Sequence, residues 1–198
     1  MDAFIRTYEG HWDEDFCDDT IEAFERNRKQ GAGVVRNDDS RKDYQLELHQ
    51  PSAYYEVDMK ESNLSQRFFG GLVECVSDYI TELNLKDIFT DVYFKNMLVQ
   101  RNDADTFESY SRWHCEVHSA EVGDRLLTYV MYLDDEAENN GTEFRYQKHV
   151  EKAKKGKLVL FPAGFTHVHR GSMITSGKKT IITGWVYLTN SKTQFPEL

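Results

Sequence analysis

The stretch RLLTYVMYL, residues 125–133, is an apolar run of strand length in which Leu and Tyr predominate. Polar breaks separate it from similar stretches on either side, so that strands follow one another from Val92 onward. The other five stretches are VYFKNMLVQ (92–100), RWHCEVH (112–118), GTEFRY (141–146), GKLVLFPA (156–163) and KKTIITGWVYL (178–188). Because helical segments do not alternate with them, the pattern predicts an antiparallel sandwich or jelly roll.

Two helices are predicted ahead of these strands. Apolar residues recur at helical spacing over about 18–30, where Asp18 or Asp19 can cap the helix and Gly31 can end it. A second apolar stripe extends over 61–84 and is wide enough to cover one side of a sheet. We therefore expect a mainly β fold with N-terminal helices packed outside the sheet.

The length and composition limit the number of domains and the classes of partner. The chain has 198 residues, which fits one domain: a helical part over about 1–90 and a jelly-roll core over about 91–189. Its formal net charge of -10 would repel a phosphate backbone, so we expect no nucleic-acid partner. No apolar run approaches the roughly 18 to 20 residues that span a bilayer, and the start MDAFIRTYEG lacks the pattern of a signal peptide. The sequence thus predicts a cytoplasmic protein with no membrane partner.

A possible metal site lies in the second of the predicted strands. Alternation along a strand would place His114, Glu116 and His118 on one face. Two imidazoles and one carboxylate on one face of an octahedron form the site of non-haem Fe(II) oxygenases, so a third ligand is needed elsewhere. The candidates are His167 and His169, which would face the same way on an extended segment, whereas His118 is interpreted as solvated or hydrogen-bonded beside the metal.

The order of these motifs resembles the Fe(II)/2-oxoglutarate dioxygenases, especially their prolyl 4-hydroxylase-like branch. The family carries His-x-Asp/Glu, then a distal His followed by x-Gly and, ten residues after that His, a Lys or Arg. The resemblance covers about residues 92–189, with Glu116 where prolyl hydroxylases usually have Asp. The further matching positions are Arg125, Thr128, Tyr132, Leu133, Gly156, Phe161, His169, Gly171, Gly177 and Lys179.

The resemblance implies a double-stranded β-helix that binds Fe(II), 2-oxoglutarate and O₂. It selects His169 over His167 as the third metal ligand, so the predicted metal and catalytic residues are His114, Glu116 and His169. The implied reaction is hydroxylation of a C–H bond in a small-molecule or peptide substrate, with release of succinate and CO₂.

The resemblance also implies a set of residues around the cosubstrate. Lys179 would bind the C5 carboxylate of 2-oxoglutarate, and an anion there would offset the cost of a lysine projecting into an apolar barrel. Tyr132 is a candidate for a second hydrogen bond to that carboxylate, and Thr128, on the same side of the strand, is another candidate for cosubstrate binding. Tyr110 is a further cosubstrate candidate, since Ser111 holds the position where the family often has a tyrosine.

Two alternatives remain open from the sequence. A cupin-like metal protein could use the same histidines for Zn(II) or Mn(II), as an isomerase or a binding module, and would not need Lys179. A β-sandwich interaction domain without metal is the other. The candidate substrate loops are 35–44 and 101–109, while the identity of the substrate and the oligomeric state are not indicated.

Overall fold

The structure is a computed structural model that describes residues 4–38, 41–48, 59–89, 91–94, 96–106 and 111–188. Within these ranges two helices accompany eleven strands. The helices are α1 (Glu14–Lys29) and α2 (Met59–Glu82), and no described helix is long and apolar enough to span a membrane. The strands are β1 (Arg6–Tyr8), β2 (Val34–Asp38), β3 (Arg41–Glu47), β4 (Val92–Phe94), β5 (Leu98–Asp103), β6 (Arg125–Tyr132), β7 (Gly141–Phe144), β8 (His149–Lys152), β9 (Leu158–Pro162), β10 (His169–Gly171) and β11 (Lys178–Leu188).

The strands form two antiparallel sheets. In the larger sheet the order is β1-β9-β6-β11-β5-β3-β2, and β4 also pairs with β11. In the smaller sheet the order is β10-β7-β8. Chain neighbours such as β5 and β6 lie on opposite sides of β11, so the chain crosses over instead of forming a simple meander. This arrangement confirms the predicted jelly roll, which is the double-stranded β-helix.

The two helices pack together against the outer face of the larger sheet. The α1 helix begins after Asp13, whose carboxylate accepts a hydrogen bond of 2.7 Å from the Phe16 amide, and it ends before Gly31 at φ 82°. Phe16 stacks on Phe68 of α2 at 6.4 Å between ring centroids. Both predicted helices are therefore confirmed, although Asp13 is the cap in place of Asp18 or Asp19 because α1 starts four residues earlier than expected.

The N-terminal part also contributes strands, which the sequence prediction missed. The β1 strand pairs with β9, and the hairpin of β2 and β3 joins the larger sheet through β5. The stretch 35–44, predicted as a substrate loop, therefore lies mostly in strands. Its polar residues misled the prediction because one face of this hairpin lines a cavity instead of an apolar core. Of the second predicted loop, 101–103 extends β5, 104–106 is a short 3₁₀ helix, and 107–109 lies outside the described residues.

The segment 112–118 was predicted as a strand, but only a single bridge forms, between His114 and His169. The amides of Glu116 and Val117 both donate to the Ala163 carbonyl, at 3.0 and 3.1 Å, which interrupts regular pairing. The second histidine segment is not extended either, since Phe165–His167 forms a 3₁₀ turn. Because of this turn, the side chains of His167 and His169 point in different directions, whereas alternation along a strand would have placed them on one face.

Alternate residues of β6 face two different cores. Leu127, Tyr129 and Met131 pack with the helices in the main core. Val130 and Tyr132 belong to a smaller apolar cluster between the two sheets, together with residues of β7 and β9. Because this second cluster closes one end of the space between the sheets, the remaining space forms a cavity lined by residues of both.

Candidate active site

Three of the predicted site residues meet at one point of the cavity wall. One nitrogen or oxygen atom from each of His114, Glu116 and His169 can be chosen so that all three lie within 4.8 Å of one another. Glu116 Oε1 is 3.3 Å from His114 Nε2 and 3.5 Å from His169 Nε2. The paired backbones of His114 and His169, joined by hydrogen bonds of 3.0 and 2.9 Å, hold the two imidazoles side by side.

The far nitrogen of each imidazole is fixed by the backbone. His114 Nδ1 donates to the Arg112 carbonyl at 2.8 Å, and His169 Nδ1 donates to the His167 carbonyl at 3.0 Å. A proton held on Nδ1 leaves the Nε2 lone pair of a neutral imidazole free to bind a metal. Both Nε2 atoms point to the same carboxylate oxygen, so the arrangement presents two ring nitrogens and one oxygen to a common centre.

The second oxygen of Glu116 is held from the other side. Trp185 Nε1 donates to Oε2 at 2.9 Å, and Arg125 Nη1 lies 3.4 Å from the same atom. The Arg125 guanidinium also stacks on the Trp185 ring at 3.6 Å from its centroid. Burial by itself raises the pKa of the Glu116 carboxyl, but hydrogen bonds from His114 and His169 outweigh burial and hold the pKa well below its usual range. Glu116 is therefore an oriented carboxylate.

This geometry fits a divalent metal ion. An ion bonded at about 2.1 Å to two neighbouring ligands of an octahedron holds those ligands about 3 Å apart. The observed separations of 3.3 and 3.5 Å need only a small contraction to reach that value. Two nitrogens with one oxygen are a donor set that suits Fe(II).

The two rival histidines take different positions. His167 is buried, its Nδ1 lies 3.0 Å from the Thr166 hydroxyl, and its backbone carbonyl accepts the hydrogen bond from His169 Nδ1. His118 is exposed at the edge of the cavity. Neither ring belongs to the group of three that could hold a metal within the described part of the chain.

The cavity beside the cluster has a volume of about 310 Å³. Lys179 lines it and is only 4% exposed, and its Nζ donates to the Gly141 carbonyl. Burial lowers the pKa of Lys179 to about 8, although the negative charges of Asp134 and Glu143 oppose that shift. Lys178, on the other face of β11, is exposed and lies 3.8 Å from Asp103.

The hydroxyl groups predicted to contact 2-oxoglutarate lie elsewhere than expected. Tyr132 is fully buried and lies outside the cavity lining, where its hydroxyl donates to Thr142 Oγ1 at 2.7 Å. Thr142 does line the cavity, so it presents the hydroxyl that we expected from Tyr132. The buried Thr128 hydroxyl has no hydrogen-bond partner within the described residues and also lies behind the lining. Tyr110 falls outside the residues that the structure describes.

Several cavity residues were not singled out from the sequence. Thr142 follows Gly141 in a short strand whose four residues carry no chemical motif. The hydrogen bond from Trp185 to Glu116 depends on the register of β11, which the local sequence does not indicate. The polar residues Arg36, Gln45 and Gln100 share a face only because β2, β3 and β5 lie side by side, which local sequence does not indicate.

Part of the jelly roll matches a known protein family. Residues 98–187 match the family model described as the 2OG-Fe(II) oxygenase superfamily. A search of curated protein sequences found no match.

Among solved structures, a viral collagen prolyl hydroxylase from Paramecium Bursaria Chlorella virus-1, in a 2OG complex, is similar at TM-score 0.65 and 18% identity, over 95% of this chain and 98% of that one. A Pseudomonas putida prolyl-4-hydroxylase has a TM-score of 0.70 at 13% identity, over 96% and 95% of the two chains. A Trichoplax adhaerens prolyl hydroxylase, in complex with a hypoxia inducible factor peptide fragment, has a TM-score of 0.68 at 12% identity, over 98% and 89%. At these identities the solved structures show a shared fold.

The cavity and the family match together define a class of protein. The jelly-roll part of the chain, residues 98–187, belongs to the 2OG-Fe(II) oxygenase superfamily. The chain is thus a 2-oxoglutarate-dependent non-haem iron dioxygenase, an enzyme that uses Fe(II), 2-oxoglutarate and O₂.

Proposed function

We propose that this dioxygenase hydroxylates an aliphatic C–H bond, with His114, Glu116 and His169 as the metal ligands. The observation that carries the assignment is the convergence of three ligand atoms on a cavity that also contains a buried lysine. Bound Fe(II) would supply the activation of O₂, coupled to the conversion of 2-oxoglutarate to succinate and CO₂. The chain itself positions the ligands, binds the dicarboxylate and excludes water.

Lys179 is the anchor for the cosubstrate in this proposal. An ammonium group this deeply buried is costly unless an anion meets it, and a dicarboxylate supplies that anion. The lining hydroxyl of Thr142 accepts a hydrogen bond from Tyr132, which leaves its own proton free to donate to the same carboxylate. Tyr132 would then act through Thr142, and its complete burial fixes that orientation.

The cupin-like alternative, without 2-oxoglutarate, leaves Lys179 unexplained. A metal isomerase or binding module needs the three ligands but has no use for a buried cation beside them. Zn(II) or Mn(II) would fit the donor set about as well as Fe(II), so the lysine separates the two functions more sharply than the metal does.

The substrate and the setting of the enzyme are also proposals. The proteins of similar fold include collagen prolyl hydroxylases and one that holds a peptide fragment, which supports a prolyl hydroxylase-like reaction on a peptide or a small molecule. All three cysteines are free thiols, which supports a reducing, cytoplasmic location. Pairing of β1 and β3 with core strands supports a single domain.

Succinate release tests the proposed function. Purified chain, supplied with Fe(II), 2-oxoglutarate, O₂ and a reductant such as ascorbate but no other substrate, should form succinate slowly, and removal of either Fe(II) or O₂ should stop it. Lys179→Ala should reduce the rate at low 2-oxoglutarate, whereas Lys178→Ala, on the opposite face of β11, should not. Absence of succinate at saturating 2-oxoglutarate, together with absence of 2-oxoglutarate binding, would reject the proposal in favour of the cupin-like reading.

A further inference from the structure

A second wall of the cavity, here called the hairpin wall, consists of Arg36, Arg41, Gln45 and Gln100. In the register of the sheet, Arg36 of β2 lies opposite Asp43 of β3, two residues before Gln45. Gln45 lies opposite Gln100 of β5, which in turn lies opposite Ile181 of β11. Residues directly opposed in antiparallel strands project from the same face, as do residues two apart on one strand. The sheet therefore carries one continuous polar surface from the hairpin to the strand that holds Lys179.

Charge is unevenly distributed around this cavity. Although the whole chain has a net charge of -10, Glu116 is the only acidic residue among the described residues that line the cavity. Four cationic side chains line it: Arg36, Arg41, Arg125 and Lys179. A cavity this cationic in an acidic protein favours the entry of anions.

Three of these four cationic side chains have an anionic partner, which for two of them is a carboxylate of the chain and for one is the proposed cosubstrate. Arg125 lies against Glu116, and Lys179 is placed to bind the cosubstrate. The Arg41 guanidinium forms a fork on the buried Asp43 carboxylate, with Nε–Oδ1 at 2.7 Å and Nη2–Oδ2 at 2.6 Å. Arg36 has no hydrogen bond or ion pair within the described part of the chain, since Asp43 opposite it is taken by Arg41.

Gln100 gives an independent indication of a ligand. Its side chain is only 8% exposed, lines the cavity, and has no hydrogen-bond partner among the described residues. Its amide is not among the fully enclosed polar groups, so it faces the cavity, where a bound polar group can supply the missing partner. The neighbouring Gln45 accepts a hydrogen bond of 3.2 Å from Arg41, which leaves its amide protons free to donate.

We propose that the substrate carries a carboxylate, and that Arg36 binds it together with the amide protons of Gln45 and Gln100. Arg36 on β2 and Gln100 on β5 are two strand spacings apart, a distance of about 10 Å. The long Arg36 side chain and a carboxylate together can bridge that distance. The hairpin wall would thereby select acids and leave the cosubstrate at Lys179 undisturbed. This inference rests on the proposed function, because it names the substrate class of the same cavity.

The test uses matched acids and amides as probes. Protein loaded with Mn(II) and 2-oxoglutarate, without oxygen, is titrated by calorimetry with each N-acetyl amino acid and its carboxamide. The same titration is made with blocked tripeptides that place Glu or Gln beside each residue type. We expect at least one acid to bind about tenfold or more tightly than its amide. A difference in the first set would indicate a small acid, and one confined to the second set an acidic peptide.

Two variants of the hairpin decide whether Arg36 is responsible. Arg36→Gln should bring the acid and its amide to nearly equal affinity, and in the succinate assay it should raise the KM for the acid while kcat changes little. Lys42→Gln removes one positive charge from the other face of the same hairpin and should keep the preference. The proposal is wrong if no acid binds better than its amide, or if the preference survives in Arg36→Gln.

The same titrations separate this inference from the proposed function. Arg36→Gln should bind Mn(II) and 2-oxoglutarate as the wild type does, because Arg36 contacts neither the metal ligands nor Lys179. A wild type that binds 2-oxoglutarate but prefers amides would overturn the substrate class alone. A wild type that binds no 2-oxoglutarate would overturn the proposed function itself.

Discussion

The metal ligands and the hairpin wall line the same cavity, yet their polar atoms are satisfied in different ways. Around Glu116 both carboxylate oxygens have partners, and each imidazole is tied to a backbone carbonyl. On the hairpin wall Arg36 and Gln100 have no partner among the described residues. The metal ligands are thus oriented before anything binds, whereas the recognition surface is completed by its ligand. Substitutions should therefore act on metal, cosubstrate and substrate separately.

The largest effect is expected at the metal ligands. His169→Ala and Glu116→Ala should each lose bound iron while the purified chain stays folded, because two remaining ligands hold an ion far more weakly than three. Metal analysis after gel filtration measures this. His167→Ala is the matched control, since its Nδ1 lies beside Thr166 and the substitution keeps the backbone carbonyl that accepts from His169. Iron retained in His169→Ala and lost in His167→Ala would reverse the assignment.

The next largest effect is expected for the cosubstrate anchor. Lys179→Ala should weaken 2-oxoglutarate binding by about 2 to 5 kcal/mol, a factor on the order of 30 or more. The reason is that the buried carboxylate of 2-oxoglutarate would then have no cationic partner. Iron content should stay unchanged. Calorimetric titration of Mn(II)-loaded protein without oxygen measures the affinity. Lys178→Ala should behave as the wild type, and a loss in that variant instead would place the anion on the wrong face of β11.

A smaller effect is expected at the hydrogen bond that orients Glu116. Trp185→Phe keeps the ring but removes the donor to Oε2, and loss of a partner that orients a metal ligand typically weakens metal binding about 10- to 100-fold. Competition with a chelator measures this directly. Trp113→Phe is the control, because the Trp113 ring contacts Arg170 and not Glu116. Equal metal affinity in both variants would show that the carboxylate is oriented without Trp185.

The smallest effect is expected from pH. Since the pKa of Lys179 is lowered to about 8 by burial, its ammonium is present below that pH and is lost above it. The affinity for 2-oxoglutarate should thus fall about twofold between pH 7 and 8 and about fivefold between pH 8 and 9. Calorimetry up to pH 9 measures this, and Lys179→Ala should show no such decline. A wild-type affinity that rises with pH would contradict the role of the lysine.

The sequence predicted the jelly roll because apolar strands without intervening helices have few other solutions. It could not predict that β2 and β3 are strands, since their inward residues are polar and only the cavity explains them. His114 and Glu116 were placed together for a partly wrong reason: a single bridge to His169, not a regular strand, sets their direction. Tyr132 was assigned a direct contact that the structure gives to Thr142, a neighbour through the smaller sheet that spacing along the chain does not indicate.

A crystal structure with Mn(II) and 2-oxoglutarate, prepared without oxygen, tests the central claim most directly. We expect the ion on His114 Nε2, Glu116 Oε1 and His169 Nε2, with the distal carboxylate of 2-oxoglutarate on Lys179 Nζ and the Thr142 hydroxyl. An ion bound through His167, or a dicarboxylate that leaves Lys179 without an anion, would contradict the assignment of this cavity.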